Sequence, residues 1–186
     1  STCAPPGLLN TGTRQFTLIV DPPTRGYGDT TICLGETAQL SADVPGPGGA
    51  PNVWDVLPGG SPITSLSCTN CDNPIATPGL PTFYTVTGCT TDTVFVDVVT
   101  GPTPTITPDT TTCVNSSIQL SVVANPPNQN YTYNWSPGTL LDDSTITNPT
   151  WVNPTTTTTF TVFVTPVGFA SCVSVDSVTV TVLQGF

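Results

Sequence analysis

The residues best suited to redox chemistry, metal binding or cross-linking are seven cysteines, in a chain of 186 residues that contains no histidine. Two of them form the motif Cys68-Thr69-Asn70-Cys71, a spacing found in thiol redox centres, in halves of zinc sites and in local disulfide loops. A redox cysteine usually lies at a helix N-terminus, which lowers its pKa, whereas Pro, Asn and Gly surround this motif. Zinc would require further soft ligands. We therefore predict a Cys68–Cys71 disulfide bond that closes a loop, and no metal site.

Residues for acid–base or nucleophilic catalysis are scarce. The chain has no His and no Lys, so a general base would have to be one of eleven Asp residues or Glu36, and none of these lies in a recognisable pair. No Ser or Cys has an activating base at a recognisable spacing. We predict no enzymatic activity, no catalytic residue and no cofactor.

The adjacent pair Asp142-Asp143 is the main candidate for binding a hard cation. Calcium prefers clustered oxygen ligands, which two neighbouring carboxylates begin to supply. Adjacent Asp residues are also typical of a solvated turn. We favour the turn.

The charge of the chain excludes several classes of partner. Its formal net charge is −10, and its only cationic side chains are Arg14 and Arg25. A nucleic-acid-binding protein needs cations to displace the counterions of the phosphates, and docking on an anionic membrane surface needs them too. No apolar run approaches the length of a membrane span. We predict neither a nucleic-acid partner nor membrane insertion.

The composition predicts an all-β fold. The chain contains 21 Pro and 16 Gly, which interrupt helices, and its abundant Thr favours strands. Seven cysteines without a histidine also favour an oxidising compartment.

An internal repeat with a period of about 80 residues organises most of the sequence. Each copy has Asp-Thr-Thr, a Cys, an alternating apolar strand, a Trp, an Asn-Pro turn, an aromatic strand, a second Cys and a closing strand. In the first copy these landmarks are Asp29, Cys33, Leu40, Trp54, Asn73, residues 83–86, Cys89 and residues 93–99. In the second they are Asp109, Cys113, Leu120, Trp135, Asn148, residues 160–164, Cys172 and residues 177–182. This order predicts tandem immunoglobulin-like β-sandwiches.

The positions of the cysteines within the repeat predict two further disulfide bonds, Cys33–Cys89 and Cys113–Cys172. Each bond would close a loop of nearly sixty residues and stabilise its sandwich by roughly 4 kcal/mol.

Residues 1–22 precede the first copy. Within them, Cys3 and the apolar run 16–20 resemble the second Cys and the closing strand of a further copy. We interpret this segment as the tail of a preceding repeat or as a donor strand for a neighbouring subunit, with Cys3 unpaired or bonded to another molecule. The predicted domains are the segment 1–22 and two immunoglobulin-like domains, 23–100 and 101–186.

The second copy carries a resemblance to a known group of proteins. Its Cys-Val-Asn-Ser-Ser-Ile-Gln-Leu is followed by Tyr-Asn-Trp-Ser-Pro-Gly, by Asn-Pro with a run of Thr, and by Cys-Val-Ser-Val-Asp-Ser-Val-Thr-Val-Thr-Val. This pattern resembles the Ig/PKD-like repeats of large Bacteroidota cell-surface proteins, which include type IX-secreted gliding-motility adhesins of the SprB type. The resemblance covers residues 29–99 loosely and 109–182 closely. The first copy departs from it with Trp54-Asp55-Val56 and with its additional Cys68/Cys71 pair.

The resemblance implies an extracellular, outer-membrane-associated module that displays or spaces adhesive regions in a surface adhesin or stalk. Its partners would be neighbouring repeats or subunits of the same protein, and surface polysaccharide. The alternatives are a subunit of a filament assembled by strand exchange and a carbohydrate-binding module. The aromatic side chains bear on the last alternative: we predict that Trp54 and Trp135 pack in the cores, whereas a sugar binder would expose a ring.

The resemblance also implies a glycoprotein, because Bacteroidota O-glycans are attached within Asp-Ser/Thr motifs. The five candidate sites are Thr30, Thr93, Thr110, Ser144 and Ser177. The alternative is that the Asp of each motif accepts hydrogen bonds from the backbone at a strand end.

Overall fold

A computed structural model describes residues 23–45, 50–127 and 129–184. The chain divides into two compact units between Val99 and Thr100, called unit 1 and unit 2 below. Strands dominate both units, so the predicted all-β class is confirmed. The predicted strand at 16–20 and Cys3 lie outside the described residues. No helix within the described ranges is long and apolar enough to span a membrane.

The described part of unit 1 contains strands and one short 3-10 helix, Ile63–Ser65. The strands are β1 (Gly26–Tyr27), β2 (Thr30–Cys33), β3 (Ala38–Gln39), β4 (Ser41–Ala42), β5 (Val53–Val56), β6 (Ile75–Ala76), β7 (Thr82–Thr87) and β8 (Thr91–Val99). Four of them form a sheet in the order β2-β8-β7-β5. Strand β2 runs parallel to β8, and the other neighbours are antiparallel. The pairs β1–β4 and β3–β6 form the opposite layer.

Unit 2 repeats this arrangement, again with one 3-10 helix among its described residues, Gly138–Leu140. Its strands are β9 (Thr103–Ile106), β10 (Thr110–Cys113), β11 (Ile118–Gln119), β12 (Val122–Asn125), β13 (Tyr131–Ser136), β14 (Thr150–Trp151), β15 (Thr158–Pro166) and β16 (Ser174–Leu183). The sheet order is β10-β16-β15-β13, with β10 parallel to β16. The pairs β12–β9 and β11–β14 form the second layer.

The two layers of each unit enclose one apolar core because apolar and polar side chains alternate along the strands. In β16, Val178, Val180 and Val182 are buried while Thr179 and Thr181 point away from the core, as the sequence predicts. The core of unit 1 centres on Trp54, Leu40 and Tyr84, and that of unit 2 on Trp135, Leu120 and Phe160.

The strand register relates the two units residue by residue. Trp54 lies opposite Val86 in unit 1, and Trp135 lies opposite Val162 in unit 2. Counting from these pairs along β7 and β15, Tyr84 corresponds to Phe160.

A glycine allows the chain of unit 1 to change layers between β1 and β2. Gly28 has φ of +120°, and a Cβ atom there would lie 2.8 Å from the carbonyl oxygen of Gln39. Any other residue would meet both the backbone strain and this contact.

Candidate interaction surfaces and disulfide sites

In unit 1 the described chain begins and ends at opposite ends of the sandwich. The Gly26 N–H donates a hydrogen bond of 3.0 Å to the Asp92 carboxylate, and the Thr90 hydroxyl donates one of 3.3 Å to the Thr24 carbonyl. The chain therefore starts beside the first residues of β8. It leaves at Val99, about 26 Å further along that strand at roughly 3.3 Å per residue. We call these ends the N-terminal pole and the C-terminal pole.

Unit 2 has the same two poles. A Cβ atom on Gly101 would lie 3.2 Å from the carbonyl oxygen of Cys172, which lies just before β16 begins at Ser174. Strand β16 then leads to Leu183 at the other end. Each sandwich therefore carries the chain from one pole to the other.

The first cysteine of each repeat lies at the C-terminal pole of its unit. Cys33 is the last residue of β2 and pairs with Val99. Cys113 is the last residue of β10 and pairs with Leu183. Both cysteines are therefore beside the point where the last strand of the unit ends.

The second cysteine of each repeat lies at the other pole, and this corrects two predicted bonds. Cys89 and Cys172 each lie two residues before the last strand. About 26 Å or more thus separates the two cysteines of a repeat, whereas a disulfide bond needs Cα atoms within about 7 Å. The predicted Cys33–Cys89 and Cys113–Cys172 bonds are wrong. Cys33, Cys89 and Cys172 are disulfide-bonded, but Cys113 is an exposed free thiol.

The position of the first cysteine in its strand explains why these bonds cannot form. Cys33 is the last residue of β2, and the apolar segment with Leu40 comes after it in the chain. In the structure a turn follows Cys33, whose carbonyl accepts a hydrogen bond of 2.9 Å from Glu36 N. Gly35, immediately before Glu36, was the sequence signal that Cys33 ends one strand rather than beginning the next.

The predicted bond between Cys68 and Cys71 is confirmed. The loop that it closes lies along the edge strand β5. Trp54 donates from its backbone N–H to the Thr69 carbonyl at 2.7 Å, and from its indole Nε1 to the Cys71 carbonyl at 2.8 Å. The disulfide loop is therefore fastened to the central Trp of the core.

Unit 2 has the same contacts without a disulfide bond. Trp135 donates from its backbone N–H to the Ser144 carbonyl at 2.8 Å, and from Nε1 to the Ile146 carbonyl at 2.9 Å. Both Trp54 and Trp135 are only 1% exposed. Their predicted place in the cores is confirmed, and neither indole is available to a sugar.

The carboxylates of Asp142 and Asp143 organise a turn. Asp142 accepts hydrogen bonds of 2.7 Å from Thr150 N and 2.8 Å from Asp143 N. Asp143 accepts hydrogen bonds from the hydroxyl and the backbone N–H of Thr145. These bonds hold the pKa of both carboxyl groups below its ordinary value. The described residues contain no cluster of three or more candidate metal ligands.

One Asp in each unit joins the two parallel strands of the main sheet. The Asp29 carboxylate accepts a hydrogen bond of 2.7 Å from Phe95 N. The Asp109 carboxylate accepts one of 2.8 Å from Thr179 N. The repeated Asp-Thr-Thr motif thus fastens β2 to β8 and β10 to β16.

The carboxylates of the other three Asp-Ser/Thr motifs also accept backbone hydrogen bonds. The donors are the N–H groups of Gly26 and Thr93 for Asp92, of Thr145 for Asp143 and of Ser177 for Asp176. The hydrogen-bonding role proposed for these Asp residues is therefore confirmed. O-glycosylation stays a prediction: Thr30, Thr93 and Ser177 are exposed, while Thr110 and Ser144 are half-buried.

The outer face of the main sheet in unit 1 carries an aromatic pair, of which one ring is exposed and the other half-buried. Phe83 and Phe95 lie opposite each other on β7 and β8, with ring centroids 4.4 Å apart. Phe83 is 49% exposed, and the neighbouring Leu57 is 42% exposed. Nearer the N-terminal pole, Thr87 and Thr91 form a hydroxyl pair with their oxygens 3.0 Å apart.

Unit 2 has the same two kinds of pair in exchanged positions. Thr159 and Thr179 correspond to the two phenylalanines, and their hydroxyl oxygens lie 3.0 Å apart. Phe163 and Val175 correspond to the threonine pair of unit 1; they lie opposite each other and are exposed. The apolar pair on the outer face therefore lies nearer the N-terminal pole in unit 2 than in unit 1. The sequence does not reveal this difference, because it depends on which residues pair across the strands.

Comparisons with known proteins identify the fold. No family model matches the sequence, and no curated protein matches it. A marsupial T cell receptor matches 87% of this chain over 71% of its own, with 10% sequence identity and a TM-score of 0.53. The first two Ig domains of DIP-gamma match 88% over 99%, with 11% identity and a TM-score of 0.44. The C-terminal fragment of intimin, solved with the intimin-binding domain of its translocated receptor, matches 88% over 64%, with 11% identity and a TM-score of 0.46.

Among these three structures, only the T cell receptor has a TM-score above 0.5, and at 10% identity its likeness concerns the fold alone. The chain folds as immunoglobulin-like β-sandwiches, as the sequence predicts.

Proposed function

We propose that this chain is a non-enzymatic structural module of an extracellular bacterial surface protein, an adhesin or stalk whose adhesive regions it displays or spaces. One observation carries the proposal: in both sandwiches the chain starts at one pole and leaves at the other. A module of this kind adds its own length to a protein. Only Thr100, Gly101 and Pro102 separate β8 from β9, so the linker between the two units is short.

The chemistry of the chain supports an extracellular location. Disulfide bonds persist in oxidising compartments, and five of the six described cysteines are bonded. The resemblance to Bacteroidota surface repeats adds association with the outer membrane. Limited proteolysis of intact cells tests the location: cleavage of this region by a protease that does not enter the cell is expected, and full protection would contradict it.

A replacement experiment tests the role as a spacer. In the native surface protein, residues 100–186 are exchanged for an unrelated sandwich of similar length whose ends also lie at opposite poles. Since a spacer contributes length rather than recognition, we expect adhesion of the cells to be retained. A deletion of the same residues is the control, and it should weaken adhesion. Loss of adhesion after the exchange would instead show that unit 2 binds a ligand.

Carbohydrate binding is the second candidate, and the Phe83–Phe95 pair, in which Phe83 is 49% exposed, favours it. Aromatic side chains supply apolar contact area for sugars, and Thr hydroxyls lie next to the pair on the same face. A glycan array probed with the chain and with the Phe83→Thr/Phe95→Thr variant tests this candidate. Binding that the variant loses would support it, and the absence of any signal from the unaltered chain would contradict it.

A further inference from the structure

The cysteine at the C-terminal pole of unit 2 is chemically available. Cys113 is free and exposed. It ends β10 beside Leu183, and the next residue, Val114, donates a hydrogen bond of 3.0 Å to the Leu183 carbonyl. The thiol therefore lies where the last strand of the unit ends, at a pole of the sandwich and not on its side.

The same site exists a second time in this chain, and there it is oxidised. Cys33 ends β2 beside Val99, and Leu34 N donates to the Val99 carbonyl at 2.9 Å. The turn that follows is also the same, with Glu36 N donating to the Cys33 carbonyl and Ser116 N to that of Cys113. Two cysteines thus have equivalent surroundings, but Cys33 is disulfide-bonded and Cys113 is not.

The geometry excludes a partner for Cys113 within its own sandwich. Cys172, the other cysteine of unit 2, lies at the opposite pole and is already bonded. A sandwich that approaches the C-terminal pole of unit 2 with its own N-terminal pole would present a cysteine of the Cys89 and Cys172 kind. Both cysteines of that kind are disulfide-bonded in this chain.

We propose that Cys113 is a cross-linking site, which forms a disulfide bond with the N-terminal-pole cysteine of a further sandwich of this type. Where the partner cysteine is a thiol, the two thiols lose two electrons and two protons to a disulfide oxidant, which is reduced to two thiols. Where the partner cysteine is already bonded, as Cys89 and Cys172 are in this chain, the Cys113 thiolate attacks that disulfide, and the cysteine formerly bonded there leaves as a thiol. The further sandwich belongs either to a second copy of this chain or to another unit of a longer one. The inference extends the proposed structural function, because a bond at this pole would join successive modules covalently.

Peptide mapping of the native surface protein tests the bond. Free thiols are blocked with N-ethylmaleimide, and the protein is cleaved before Asp residues without reduction. The sequence suits this cleavage, because Cys33, Cys89, Cys113 and Cys172 then fall in separate peptides, 29–42, 72–91, 109–141 and 143–175. We expect peptide 109–141 to be recovered in disulfide linkage to a peptide whose cysteine precedes a closing strand.

The linked peptide identifies the source of the partner. Peptide 72–91 or peptide 143–175, found in a species of dimer size, indicates a second copy, and a peptide absent from the 186 residues indicates a further sandwich. The proposal would be overturned if peptide 109–141 carried maleimide on Cys113, were joined to a second peptide 109–141, or were joined to 72–91 or 143–175 within a monomer. Each of these results leaves the spacer function to be judged by the replacement experiment.

Two variants in the native cell complete the test. If the partner is a second copy, Cys113→Ser should abolish the covalent high-mass species seen without reduction. If the partner is a further unit of one chain, the mass is unchanged and the linked peptide disappears from the map. The control is Cys68→Ser/Cys71→Ser, which removes a disulfide bond far from this pole in sequence and should leave the Cys113 linkage intact. Persistence of the linked species in Cys113→Ser would contradict the assignment.

Discussion

Asp carboxylates supplement the backbone hydrogen bonds of the sheets by linking strands that are distant in sequence. Asp29, Asp92 and Asp109 each accept an amide hydrogen bond from a residue more than sixty positions away. These bonds hold the first strands of each unit to its last strand. An ionised carboxylate is a stronger acceptor than a neutral amide, and for Asp92 the hydrogen bonds also lower the pKa of the carboxyl group.

Replacement of Asp92 by Asn should therefore lower stability in a pH-dependent way. Hydrogen bonds from Gly26 N and then Thr93 N lower the pKa of the native carboxyl below its unfolded value of about 3.9. The stabilisation is complete above the unfolded pKa and is lost as the pH falls through the native one. Urea unfolding at pH 7 and pH 3 should show a deficit for Asp92→Asn at pH 7 that shrinks at pH 3.

The matched control is Asp97→Asn, since Asp97 bonds the adjacent Val98 N rather than another strand. It should show little deficit at either pH. An equal deficit for Asp92→Asn at both pH values would contradict the role given to its charge.

A buried hydroxyl pair distinguishes the core of unit 1 from that of unit 2. Tyr84 is fully buried, and its hydroxyl lies 2.8 Å from that of Ser65; burial also raises the pKa of Tyr84. Unit 2 has Phe160 at this position, packed edge-on against Trp151 with centroids 5.0 Å apart. At this core position the fold therefore accommodates either a hydrogen-bonded tyrosine or a phenylalanine that packs against another aromatic ring.

Tyr84→Phe should destabilise unit 1 by roughly 1–2 kcal/mol, because the Ser65 hydroxyl is left buried without its partner. The double variant Ser65→Ala/Tyr84→Phe should recover part of that loss, as both polar groups are then gone. Equilibrium unfolding in urea measures both. A double variant that is no more stable than Tyr84→Phe alone would contradict this account.

At the level of strands, the sequence predicted most of the architecture but not the pairing of the edge strands β2 and β10. The aromatic and closing strands could be predicted because more buried and more outward positions alternate along most of β7, β8, β15 and β16. The edge strands β2 and β10 have a weaker pattern, since Thr30–Cys33 and Thr110–Cys113 pair only with the last strand. Their parallel register is a long-range property. It decides where Cys33 and Cys113 lie, and spacing along the chain does not reveal it.

The exchanged pairs on the outer faces give a prediction about strands. Phe83→Thr/Phe95→Thr gives unit 1 the threonine pair of unit 2, and Thr159→Phe/Thr179→Phe does the reverse. Each double change should alter stability by no more than about 1 kcal/mol, the usual scale of a cross-strand pair, because the positions face outward. Thermal unfolding checks this. A loss of several kcal/mol would show that these faces are covered.

For the whole chain, two separate cores imply two separable unfolding units. Trp135 is 1% exposed in the core of unit 2, and Trp135→Ala should destabilise that unit by roughly 3–5 kcal/mol. Hydrogen exchange should then accelerate in β13, β15 and β16 and stay unchanged in β7 and β8. Equal acceleration in both units would mean that the chain unfolds as one.

The parallel pairing of β2 with β8, and of β10 with β16, has a mechanical consequence. When a sandwich is pulled by its two chain ends, the first strand is drawn toward one pole and the last toward the other. The two strands then slide along each other, and the hydrogen bonds between them bear the tension together, unlike those of a hairpin peeled open one bond at a time. The Asp29 and Asp109 carboxylates each add a hydrogen bond at the start of these parallel strand pairs. Tension applied through the two chain ends of either sandwich would therefore act along the direction in which its first and last strands resist separation best.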